Sequence, residues 1–387
     1  MIILERTLMK DLVTWKNNPD RKPLIINGAR QVGKTWLIKE FGRLNYKQVA
    51  YINMDNNAVM TQLFEGDYNI ERIVLGLELE AGVSIREQET LIVFDEIQEI
   101  PKALTSLKYF CENAPEYHVV AAGSLLGIAL HKNASFPVGK VETLSLFPLS
   151  FDEFVRARAN IELANTLNSS DYRMAEVFKS KIIPLLKDYY FVGGMPEAVK
   201  TFIENSDYSR ARTVQQRIVA DYERDFSKHL DAREAERVYA VWDSLPSHLA
   251  QENKKFVFGR IAKGSRAKDF EHALTWLSHA GLIHLVPRIS KPGLPLKAYR
   301  DPSAFKVFAL DVGLLGSMSN LEARTIIEGS RLFEEFKGAL TEQYVCQQLV
   351  TTCKVEPYYW SAENSRGELD FVVESAGEIY AIEVKAE

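Results

Sequence analysis

Near its start the chain carries Gly28-Ala29-Arg30-Gln31-Val32-Gly33-Lys34-Thr35, directly after the apolar run Leu24-Ile25-Ile26. This G-x-x-x-x-G-K-[ST] spacing, with a strand before it and a helix after it, constrains the fold more than any other stretch. Glycine reaches backbone torsions closed to other residues, so successive N–H groups can turn inward on one anion. A helix opening near Lys34 adds the positive end of its dipole. Gly28 through Trp36 therefore read as a cradle for the phosphates of ATP. In that cradle Lys34 reaches the β- and γ-phosphates and the Thr35 hydroxyl holds Mg²⁺. The plainer alternative is a glycine turn with an incidental lysine.

Three more short apolar runs, Val49–Ile52, Leu91–Phe94 and Val119–Ala122, alternate with helically spaced stretches such as Lys39–Phe41 and Leu104–Phe110. That alternation predicts a parallel sheet with helices as crossovers. The third run ends in Asp95-Glu96. Carboxylates at the C-terminal edge of such a sheet face the crevice where ligands bind. Asp95 is the expected partner of the Mg²⁺ shell, and Glu96 suits orienting or deprotonating an attacking water. The fourth run ends in Gly123-Ser124. The Ser124 hydroxyl could bond the water or the γ-phosphate and report its presence, and the same pair also serves as an ordinary strand-ending turn.

At 387 residues the chain is long enough for two or three domains. A net charge of −5 argues against wholesale binding to polyanions without excluding a local basic face. The three cysteines, Cys111, Cys346 and Cys353, form no Cys-x-x-Cys pair, so neither a zinc site nor a disulfide framework is expected. Charge interrupts the first residues too early for a signal peptide, and no run of about 20 apolar residues is present to span a bilayer. A cytoplasmic protein with no membrane partner is the expectation.

From Asp152 to about Glu236 the pattern is helical, broken at Val192-Gly193-Gly194-Met195-Pro196. Phe256–Ile289 reads as helix, turn, helix and short strand, the pattern of a winged helix, with a long amphipathic helix ending at Gly281. Glu322–Cys353 returns to helix, and a hairpin of Leu369–Glu374 and Ile379–Lys385 turns at Ser375-Ala376-Gly377.

Taken together, "LIINGARQVGKTWLIKEFG", "LIVFDEIQEIP", "VVAAGSLLG", "VGKVETLSLFPLSFDEF" and "YYFVGGMPEAV" resemble the prokaryotic AAA-type ATPases that carry a C-terminal domain of unknown function. The resemblance extends over nearly the whole chain. It implies that Gly28–Thr35 is the Walker A loop, Asp95 and Glu96 the Walker B pair, and Ser124 the first sensor position. It also implies self-association, because such proteins often draw an arginine finger from a neighbour. Arg156, Arg158, Arg224 and Arg233 are all available, and no motif selects one. Phe147-Pro148-Leu149-Ser150-Phe151 is a hallmark of the resemblance, read here as a tight strand exit into a helix.

Between Lys254 and Arg300, ten Lys or Arg face only two acids, so charge is segregated. In a winged helix Arg260, Lys263, Arg266 and Lys268 would flank the groove-facing helix and contact the phosphates of double-stranded DNA. A solvated basic face is the alternative. In the tail, Asp370 on one expected strand and Glu383 with Lys385 on the next could converge on Mg²⁺. That order resembles the core of PD-(D/E)xK nucleases, and the resemblance adds Glu342 on the preceding helix. The sequence ends two residues after Lys385, short of the helix and strand with which that fold continues, so a truncated or degenerate tail is expected.

The expected fold is α/β: a P-loop NTPase domain with a parallel sheet, a helical region, a winged helix and an α/β restriction-endonuclease-like C-terminal domain. These occupy 1–155, 156–240, 241–300 and 301–387. The leading expectation is an ATPase that uses its nucleotide state to reposition the C-terminal region, on DNA in one form. The rivals are a nucleotide-gated DNA-binding or scaffold module with little turnover, and a metal-dependent nuclease.

Overall fold

The structure, a computed structural model, describes residues 4–124, 136–158, 160–169, 171–250, 255–261, 264–328, 334–362 and 367–386. The chain divides into two compact units, one running Glu5–Phe147 and one beginning at Pro148.

The first unit is built on strands β1 (Leu24–Asn27), β2 (Gln48–Asn53), β3 (Thr90–Asp95), β4 (His118–Gly123) and β5 (Glu142–Ser145). Their order across the sheet is β2-β3-β4-β1-β5, and every pairing is parallel. Each residue of β3 and β4 is buried, which is why these strands read as unbroken apolar runs. Sequence reading passed over β5, a short edge strand whose residues alternate between exposed and partly covered. Local signals set the flanking helices. Asn69 caps the helix Ile70–Ala81 by accepting from the Arg72 amide at 2.9 Å, and left-handed Gly82 ends it. Pro101 opens the helix Pro101–Asn113. Phe64, Phe94 and Phe110 pack edge to face within the core between these helices and the sheet.

The topology positions the site. Because β4 lies between β1 and β3, Asn27, Gly123 and Asp95 end side by side on one edge, and the segments leaving all three strands emerge together.

Among its described residues the second unit is mostly helical between Phe151 and Leu249, and it carries a second sheet. Its strands are β6 (Ile283–Ile289), β7 (Arg300–Ala309), β8 (Tyr358–Ser361), β9 (Glu368–Ser375) and β10 (Glu378–Ile382). The order is β10-β9-β8-β6-β7, with β6–β8 parallel and the other pairs antiparallel. Strands from either side of residue 300 thus share one mixed sheet. Among the described residues, the expected helix after Phe256 is a single 3-10 turn, Phe258–Arg260, ahead of the helix Ala267–His279. The tail hairpin turns where expected, through left-handed Ala376 and Gly377. Its second strand, however, stops at Ile382 rather than running to Lys385. Beyond that point the Val384 amide donates to the Asp370 carboxylate at 2.8 Å, so a side chain takes the place of the ladder.

Leu149 to Phe151 of the hallmark stretch meet the Gly193-Gly194 loop inside this unit. Ser150 and Glu153 form a capping box at the start of the helix Phe151–Ala157. The Leu149 amide donates to the Gly194 carbonyl at 2.6 Å, and a Cβ on Gly194 would lie 2.1 Å from the Leu149 oxygen. The helix start expected after this stretch is thus present, and the two stretches are in backbone contact. No helix among the described residues is long and apolar enough to cross a membrane.

Candidate nucleotide-binding site

The loop after β1 departs from ordinary backbone at three points: Gly28, Gln31 and Gly33 have φ of 152°, 64° and 94°. At Gly28 a Cβ would lie 2.2 Å from the Leu146 carbonyl oxygen, so no other residue fits. The side chains of Ala29 and Val32 are buried and anchor the loop, leaving only their backbone for a ligand. Arg30 is half-buried and Gln31 exposed. The helix Lys34–Asn45 starts with no side-chain cap at Gly33, so its first amides remain available to an anion. Trp36 is 41% exposed on that helix.

Lys34 is 6% exposed, and each of its three ammonium hydrogens has an acceptor. These are the carbonyls of Gly28 and Ala29, both at 2.8 Å, and Ser124 Oγ at 3.1 Å. Burial pushes the ammonium down to about 8, Arg30 adds to the fall, and Glu96 and Asp95 oppose it. Ser124 Oγ in turn donates to Glu96 Oε1 at 3.2 Å. Strand β4 thus supplies the bridge between the loop lysine and the carboxylate after β3.

Asp95 Oδ2 accepts from the Thr35 hydroxyl at 2.7 Å and from the Tyr51 hydroxyl at 2.7 Å, while Oδ1 accepts from the Glu96 amide at 3.1 Å. Glu96 sits in the left-handed region at φ 52° and ψ 44°, a strained state for a non-glycine residue of the kind that collects at functional sites. Buried Ile97 and the 3-10 turn Ile97–Glu99 hold it there, and Gln98 Nε2 donates to Glu96 Oε2 at 2.6 Å. The Thr35 hydroxyl and the Asp95 carboxylate are hard oxygen donors side by side, a set that suits Mg²⁺.

Sequence reading missed Tyr51 and Gln98. Gln98 had a weak signal, two positions after Glu96 at the head of a turn. Tyr51 had none, because nothing local says that β2 borders β3.

The remaining expected residues lie in the second unit. Arg260, Arg266 and Lys268 are exposed at the 3-10 turn and the start of the helix Ala267–His279, whereas Lys263 lies outside the described residues. Glu383 and Lys385 pair with each other beyond the end of β10, which removes the shared strand face expected for them. Glu342 lies 3.7 Å from the buried Lys306 ammonium, which also pairs with Glu368 at 2.6 Å. Among the described residues no group of three or more His, Cys, Asp or Glu is arranged to hold a metal.

Comparison with known proteins agrees with this geometry for the first unit. Residues 20–155 match a family described as AAA domain. Residues 183–325 and 337–387 match two families, each described as a domain of unknown function. No curated protein matches the chain. Similar solved structures include the Walker-type ATPase PABY2304 of Pyrococcus abyssi, 16% identical over 82% of this chain and 96% of that one, with a TM-score of 0.49. Others are Aeropyrum pernix Orc1 in complex with DNA (14% identity, 81% and 90% covered, TM-score 0.31) and AMPPCP-bound DnaA of Aquifex aeolicus (15%, 70% and 86%, TM-score 0.27). The first unit has the P-loop ATPase fold, on a parallel five-stranded sheet.

Proposed function

We propose that the chain binds ATP with Mg²⁺ in its first unit, hydrolyses it, and uses the nucleotide state to reposition the second unit. The observation that carries this reading is the hydrogen-bonded series Lys34–Ser124–Glu96 beside the Thr35–Asp95 pair. In it the loop amides and Lys34 bind the phosphates, and Lys34 exchanges its bonds to the Gly28 and Ala29 carbonyls for phosphate oxygens. Thr35 and Asp95 would hold Mg²⁺, which supplies charge neutralisation on the phosphates when bound. Glu96 keeps unused lone pairs on both oxygens, so it can take a proton from water while Ser124 and Gln98 orient it.

Lys34→Ala tests the binding step. It is expected to abolish saturable ATP uptake at millimolar nucleotide, measured by equilibrium titration. Retention of wild-type affinity would remove the lysine, and with it the reading. The wild type carries a pH signature as well. Because burial pushes the Lys34 ammonium down to about 8, ATP affinity should be flat below that pH and fall by up to about tenfold per unit above it.

The exposed Arg260, Arg266 and Lys268, followed by the antiparallel β6–β7 pair, support a finer reading in which the second unit contacts duplex DNA as a winged helix would. Arg266→Ala with Lys268→Ala should then weaken DNA binding and lower its salt slope by about 2. An unchanged slope in a salt titration rules out those contacts. The tail offers less to a metal-dependent nuclease, since Asp370 is engaged by a backbone amide and Glu383 by Lys385.

A further inference from the structure

Tyr51 belongs to no motif. It pairs with Val93 in the β2–β3 ladder, and Asn53 two positions on pairs with Asp95. Side chains two apart on a strand share a face, so the ring leans along β2 toward the neighbouring aspartate. Its hydroxyl reaches Oδ2 of Asp95, the oxygen that also takes the Thr35 hydrogen. On the ring face, Lys39 Nζ lies 3.8 Å from the centroid. Lys39 is on the helix that begins at Lys34, so the phenol is braced by the loop helix as well as by its own strand.

We infer that Tyr51 is a positioning residue for Asp95, fixing the carboxylate so that Oδ2 faces Thr35 and thereby setting how tightly the site takes Mg²⁺. The inference rests on the ATP and Mg²⁺ reading of this site. The physical reason lies in the hydrogen-bond count. To ligate a cation the Thr35 hydroxyl must present a lone pair and turn its hydrogen away from that lone pair's direction. That hydrogen can stay on Oδ2 of Asp95, which then has two donors, the Thr35 and Tyr51 hydroxyls, and the second is not itself a metal ligand. Without the Tyr51 hydroxyl, Oδ2 is left with the Thr35 hydroxyl, itself a ligand to the cation, and the Glu96 amide on Oδ1 is the one described contact from outside the metal-holding pair. Groups behind a metal ligand orient it in this way, and their loss typically weakens metal affinity ten- to a hundredfold.

Tyr51→Phe in the full chain keeps the ring, its packing and the Lys39 contact, and removes one O–H. Uptake of a fluorescent ATP analogue would be titrated with and without Mg²⁺. The expected result is unchanged affinity in EDTA and a Mg²⁺ midpoint raised about tenfold. In Asp95→Ala the phenylalanine should then add nothing further, because the group it positions is gone. An unmoved Mg²⁺ midpoint overturns the role, as does an equal loss with and without Mg²⁺, which would mark a merely structural tyrosine. Absence of saturable uptake by the wild type would instead bring down the ATP reading, and the inference with it.

Discussion

Glu96→Gln is expected to lower ATP turnover about 10²- to 10⁴-fold at saturating nucleotide while leaving affinity within a few-fold. The amide matches the carboxylate in size, can still accept from Ser124, and demands nothing new of the left-handed backbone. What it cannot do is take a proton from water. Its NH₂ would also face the Gln98 amide that now donates to Oε2, so Gln98 is expected to turn and present its oxygen instead. A second effect follows from the lysine. Glu96 is the largest influence holding the Lys34 ammonium up against burial, so its removal should shift the loss of ATP binding to lower pH than about 8. Phosphate release under multiple turnover, set beside equilibrium uptake, separates the two effects. A fall of less than tenfold in turnover would remove Glu96 as the base. Negligible turnover already in the wild type would favour the gate with little hydrolysis.

In the second unit the largest effect is expected from Asp311→Ala, a loss of about 3–5 kcal/mol of stability. Asp311 is fully buried, and burial pushes its carboxyl above the usual range against four hydrogen bonds that pull it back. Oδ1 caps a helix by accepting from the Gly313 and Leu314 amides at 3.0 and 3.1 Å. Oδ2 accepts from the Gly194 amide at 2.7 Å and from Gln347 at 3.0 Å. Gln347 also takes the Val312 amide and donates to the Tyr189 hydroxyl, which reaches the Leu149 carbonyl. One carboxylate therefore joins chain segments near residues 149, 194, 311 and 347, and its removal strands several buried donors at once. The glycine pair follows from the same arrangement, since a Cβ on Gly193 would lie 2.1 Å from Asp311 Oδ1. Denaturant unfolding should show the transition of the 148–387 unit moved to lower concentration, resolved from that of the first unit if the two melt separately. A loss below about 1 kcal/mol would show the carboxylate to be dispensable.

The phosphate loop and the first four strands of the first sheet were legible from sequence because their causes are local. Glycine at positions of positive φ, a lysine and threonine at a helix start, and apolar runs buried on both faces leave their mark within a few residues. The tail hairpin turn was legible for the same reason, through Ala376 and Gly377. Where pairing depends on distant chain, local pattern misled. The polar alternation of β5 hid an edge strand, and Lys385 was assigned to a strand that ends at Ile382.

Residue types and spacing were enough to mark Lys34, Thr35, Asp95, Glu96 and Ser124 as one candidate set. Folding alone decided that β4 would come between β1 and β3, which is what joins Ser124 to both the lysine and the glutamate. Folding alone also put Tyr51 against Asp95 and Asp311 beneath Gly194. Those neighbours lie 44 and 117 positions apart. Over such separations the chain's own periodicity carries no information about contact, which arises only when sheet order and helix packing bring the segments together.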